Sequence, residues 1–113
     1  MPGRSQPARA LRRKSIRVKT VTQTCEWAPS QWEGFTEGGR PIYARYRHGC
    51  LCVHIGQIGG TILDAVASGK EVIRQRTGHP LDGVISYAEL KRHTRGLVEW
   101  PSRQYPMRGI SPL

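Results

Sequence analysis

Apolar and polar positions alternate in two short runs, Pro41–Arg47 and Cys50–Ile55, separated only by His48-Gly49. Folded as a hairpin about that pair, the runs set Ile42 opposite Ile55, Ala44 opposite Val53 and Tyr46 opposite Leu51 on one face. Tyr43 with His54, Arg45 with Cys52 and Arg47 with Cys50 take the other. Strand side chains alternate faces, so a register that sorts six apolar residues to one side predicts a core-facing floor and a polar outer face. Gly49 supplies the positive φ of a tight turn, and histidine tolerates it.

A third strand is expected just upstream, over Gln31–Thr36, turning through Glu37-Gly38-Gly39-Arg40. With Thr36 meeting Pro41, Phe35 falls opposite Ile42 on the core side. Trp32 then stands beside Arg45 on the outer side, where guanidinium and indole can stack.

Downstream the period lengthens. Thr61 and Asp64 have capping-box spacing, Ile62, Leu63, Ala65 and Val66 form a helical apolar stripe, and Gly69 stops it. Ser86 and Glu89 open a second helix through Tyr87 and Leu90, ended by Gly96, with Lys91, Arg92 and Arg95 suited to its negative end. Val72-Ile73 fits either a strand or an irregular crossing, and Leu97–Trp100 reads as a short extended piece ending at Pro101. The expected fold is therefore α+β: a small three-stranded antiparallel β-meander with two short α-helices packed on one face. Residues 23–101 make up the domain, residues 1–22 a flexible basic tail, extended at most over Ile16–Val21, and residues 102–113 a loose end.

Charge sharpens that division. The chain of 113 residues carries a formal +10, yet residues 1–19 hold seven of the 18 basic groups and no acid. The remaining 94 residues balance 11 basic against 8 acidic groups, so most of the excess belongs to the tail. Such a segment, with Arg12, Arg13 and Lys14 at its centre, suits a phosphate-binding arm; a solvated extension, an upstream start or a transit peptide share its composition. Three cysteines are too few for a disulfide scaffold, and no apolar run approaches a membrane span. A cytoplasmic protein follows as the expectation, with no membrane partner.

Candidate chemistry is sparse. His48, Cys50, Cys52 and His54 are all metal-ligand types, but alternate residues of one strand lie almost 7 Å apart, too far for four to share one tetrahedral centre. Asp82–Leu90 resembles the second half of an EF-hand calcium loop, with Asp82 and Glu89 at ligand positions. Its first and third positions would be Gly78 and Pro80, which offer no side-chain oxygen. Neither a catalytic triad nor a phosphate-binding glycine loop is present in the sequence. No enzyme, metal, cofactor or small-molecule substrate is expected.

The outer face remains: Trp32, Tyr43, Arg45, Arg47 and His54, with Arg40 at the turn. Arginines interleaved with aromatics suit nucleic acid or a nucleoprotein, through stacking and phosphate contacts. The alternative is a protein partner, in the manner of a phage or mobile-element accessory or inhibitor, with Trp32, Tyr43 and Arg45 as its contact centre.

Overall fold

A computed structural model describes residues 15–25 and 27–105 of the chain. Six strands form one sheet: β1 (Ile16–Cys25), β2 (Ser30–Thr36), β3 (Pro41–Arg47), β4 (Cys50–Ile55), β5 (Lys70–Arg76) and β6 (Val98–Glu99). Their order across the sheet is β5-β4-β3-β2-β1-β6. Neighbours are antiparallel except β1 and β6, which run parallel. The three-stranded meander expected from the sequence is thus incorrect, since three more strands extend it at both edges.

The β3–β4 hairpin has the register its alternation dictates, from Ile42↔Ile55 to Arg47↔Cys50. His48 (φ 55°) and Gly49 (φ 71°) both occupy the left-handed region that a two-residue hairpin turn of this hand requires. A loop then packs on the turn, with the Gly49 N–H donating to the Asp82 carbonyl at 2.8 Å.

β2 departs from expectation by one residue. The Thr36 N–H donates to the Arg40 carbonyl at 2.9 Å, which closes a three-residue loop, Glu37–Gly39, with Gly39 at φ 85°. Phe35 therefore meets Pro41, and Trp32 meets Ala44 rather than Arg45. A shift of one residue turns every side chain of a strand over, so Trp32 is fully buried and Phe35 faces outward. Charge explains the choice. The other register would turn Gln31 and Glu33 into the core, and an unpaired buried carboxylate costs far more than an exposed phenyl ring.

Most of β1, residues 16–22, lies in the stretch read as tail. Its pairing with β2 shifts between Val18 and Thr20, so the inward valines, Val18 and Val21, stand three apart instead of two. Such a bulge bends a strand and breaks its period. Gly34 accommodates the bend, because a Cβ there would lie 2.0 Å from the Thr20 carbonyl oxygen.

The core lies on the concave side, where Val18, Val21, Trp32, Ile42, Ala44, Tyr46, Leu51, Val53, Ile73 and Val98 of the sheet meet Ile85 and Leu90. Ile73 and Val98 come from the two edge strands. Those edges face each other across a gap of about 320 Å³ lined by Lys70, Val72 and Ile73 on one side and Ile16 and Gly96–Val98 on the other. The sheet is therefore a half-barrel.

The helices α1 (Ile62–Ser68) and α2 (Tyr87–His93) both open on the capping boxes expected of them. They do not share a face. α2 closes the core with Leu90; Thr94 and Trp100 follow, joined by an indole N–H donating to the Thr94 hydroxyl at 2.7 Å. α1 contributes nothing to the core cluster and packs against β3 and β4 at the sheet's end, Ala65 beside Gly56, with Ile62 near outward residues of β1 and β2. Gly69 ends α1 by close approach rather than by a left-handed turn: its φ is −70°, and a Cβ there would lie 2.4 Å from the Ala65 carbonyl oxygen. Among the described residues no helix is long and apolar enough to cross a membrane.

Candidate nucleic-acid interface

On the convex side, β3, β4 and β5 align three rungs. Tyr43 lies opposite His54, and His54 opposite Glu71; Arg45 lies opposite Cys52, and Cys52 opposite Arg74; Arg47 lies opposite Cys50, and Cys50 opposite Arg76. The middle strand thus carries two thiols, each flanked by an arginine on either side. Two strand spacings place Arg45 and Arg74 about 10 Å apart at the backbone, and the next rung lies about 7 Å along. The backbones of the four arginines thus stand at the corners of a rectangle.

Two members have fixed partners. Arg74 grips Glu71, Nε to Oε1 at 3.0 Å and Nη2 to Oε2 at 2.8 Å, while His54 Nε2 stands 3.2 Å from the same carboxylate. Hydrogen bonds from Arg74 and then His54 hold Glu71 below the ordinary carboxylate range, and Glu71 in turn raises Arg74. Arg76 donates to the His48 carbonyl at 3.0 Å, which steadies its stem beside the turn. Arg47 is exposed and Arg45 half-buried. Glu71 is the one acid on these three rungs, against four arginines.

The thiols stand 3.9 Å apart. Burial, then the neighbouring Cys50 thiol, pushes Cys52 upward. A thiol held protonated is a poor nucleophile and a poor metal ligand, so Cys52 is a neutral neighbour between charged flanks.

The residues singled out from the sequence disperse. Arg45, Arg47 and His54 share the outer face as expected. Tyr43 also points that way, but it is only 8% exposed and donates to the Gln31 side chain at 3.1 Å; burial raises its phenol. Trp32 is inside the core, so it neither stacks on Arg45 nor offers a contact to a partner. Arg40 is at the far end of the sheet, its Nε donating to the Gly56 carbonyl at 2.7 Å. Arg12, Arg13 and Lys14 lie outside the described residues.

Three residues went unnoticed. Arg74 and Arg76 carry the same R-x-R spacing as Arg45 and Arg47, a signal that becomes readable once Lys70–Arg76 is taken as a strand. The exposed indole near this end is Trp27, 78% exposed, three residues before β2. The EF-hand wording resolves into local capping. Asp82 Oδ2 accepts from the His79 N–H at 3.0 Å, and Glu89 Oε1 accepts from the Ser86 N–H at 2.8 Å. Among the described residues no three His, Cys, Asp or Glu side chains converge on a common point. Comparison with family models, curated protein sequences and solved structures returned no match to this chain.

Proposed function

We propose that the protein is a non-enzymatic nucleic-acid binder that grips the phosphate backbone with Arg45, Arg47, Arg74 and Arg76. The observation that carries this is the pair of Arg-Cys-Arg rungs. Four arginines on one sheet face, with the two thiols between them, suit a repeating anion. Guanidinium is weakly hydrated and presents its donors in a planar fork matched to phosphate oxygens. The basic residues Arg12, Arg13 and Lys14 add a charge-driven contribution that is not tied to the sheet.

Affinity for this class of ligand falls with salt by an amount set by the number of phosphates neutralised. Four contacts to a single strand correspond to a slope of about −3 in log affinity against log salt. Fluorescence anisotropy of labelled single- and double-stranded oligonucleotides, from low to near-physiological salt, tests the proposal. Binding that persists near physiological salt and weakens when Arg45 and Arg47 are replaced by glutamine supports it. Binding seen only at low salt, and indifferent to those replacements, refutes it and redirects attention to a protein partner.

A further inference from the structure

The same convex face carries a cleft of about 550 Å³ on its β1–β2 side, within the range of small-ligand sites. Its residues alternate along neighbouring strands. Thr22 lies opposite Glu33, and Tyr105 pairs with the other edge of β1 at Thr22, its N–H donating to the Val21 carbonyl at 2.7 Å. Tyr105, Thr22 and Glu33 therefore form one rung, which continues through Tyr43 to His54 and Glu71 beside the arginines. Phe35 and Tyr105, 39% and 54% exposed, give the cleft two aromatic surfaces, and Ile62 of α1 adds an apolar one.

One charged group decides what can enter. Among the described residues Glu33 is the only charged one of the lining, and its carboxylate repels phosphate while accepting from N–H donors. Aromatic surfaces and a carboxylate acceptor together fit a flat, aromatic ligand that carries an N–H donor. A carboxylate matches the amino edge of cytosine, whereas thymine offers a carbonyl oxygen at the corresponding position. Duplex bases are stacked and do not reach such a cleft; bases of a single strand do.

We propose that this cleft holds one unstacked base with an amino edge, from a single-stranded nucleic acid whose backbone crosses the arginine rungs. This rests on the nucleic-acid function proposed above and adds a preference among bases to it. Stacking on an aromatic side chain contributes about 1–3 kcal/mol per base, and a well-placed base-edge contact about as much.

The test is the ratio of affinities for oligo-dC and oligo-dT of equal length, measured on the full-length protein. A ratio of about ten in favour of oligo-dC is expected, from one such contact. Glu33→Ala brings the ratio close to one while raising overall affinity, because a negative charge is lost. Tyr105→Ala, a second variant remote from the core, weakens oligo-dC by about tenfold. Replacing Arg45 and Arg47 weakens both ligands and leaves the ratio unchanged. Equal binding of the two oligonucleotides by the natural protein, or a ratio that survives Glu33→Ala, overturns the cleft assignment and leaves the arginine face standing. Absence of binding to either overturns both.

Discussion

Trp32 donates its indole N–H to the Gln104 side chain at 2.9 Å, and Gln104 reaches on to Gln23 at 3.4 Å. The largest buried side chain of the sheet is thus satisfied by a residue 72 positions away, and the segment after β6 is fastened to β1 and β2. A residue in what reads as a loose end completes the core.

Gln104→Ala leaves that buried N–H without its acceptor and is expected to cost about 1–3 kcal/mol. Trp32→Ala, which empties the site altogether, costs about 3–5 kcal/mol. Urea denaturation followed by tryptophan fluorescence or far-UV circular dichroism measures both. A Gln104→Ala protein as stable as the natural one would contradict the tether.

Gly34 tests the bulge. A Cβ at this position meets the Thr20 carbonyl oxygen at 2.0 Å and the Val21 Cα at 2.9 Å, both backbone atoms that no rotamer change can move aside. Gly34→Ala should lose about 2–4 kcal/mol as β1 is displaced. At Gly38 the nearest atom is the Thr36 hydroxyl, at 3.8 Å, and Gly38→Ala should stay within about 0.5 kcal/mol. Thermal melting of the pair gives the contrast.

Glu71 sets an acid limit on the outer face. Its carboxyl is held below its ordinary value of 4.5 by Arg74 and His54. A depressed carboxylate contributes stability above its unfolded value, and that contribution disappears as pH falls through the folded one. Stability of the natural protein should therefore decline below about pH 4.5 more steeply than that of Glu71→Gln. Denaturant midpoints measured from pH 7 down to pH 3 distinguish the two curves; parallel curves would mean that the His54–Glu71–Arg74 cluster contributes nothing.

The sequence is legible where one local signal stands alone. The β3–β4 register follows from strict alternation about His48-Gly49, and both helix starts follow from Thr61–Asp64 and Ser86–Glu89. Elsewhere a second influence overrides the local one. In β1 the bulge moves the inward side chain from position 20 to 21, so a genuine strand loses its period and reads as tail. In β2 the choice between registers depends on the length of the Glu37–Gly39 loop, and the informative residue was Glu33, whose charge forbids the inward position that Trp32 takes. The Arg74 and Arg76 half of the arginine face was hidden for a different reason. Val72-Ile73 is too short an apolar run to establish a strand, and the shift between Val53 and His54 in its pairing obscures which face those arginines share.

The central claim is that four arginines on one sheet face bind a phosphate backbone. Its most direct measurement is the salt dependence of single-strand affinity for the full-length protein against a variant with Arg45, Arg47, Arg74 and Arg76 all replaced by glutamine. A control with Arg92 and Arg95 replaced, both exposed at and just beyond the end of α2, removes charge elsewhere. The account predicts that the first variant loses at least tenfold in affinity and that its salt slope becomes shallower by about 3, with the control close to the natural protein. Equal affinities and equal slopes for the natural protein and the four-arginine variant would contradict it.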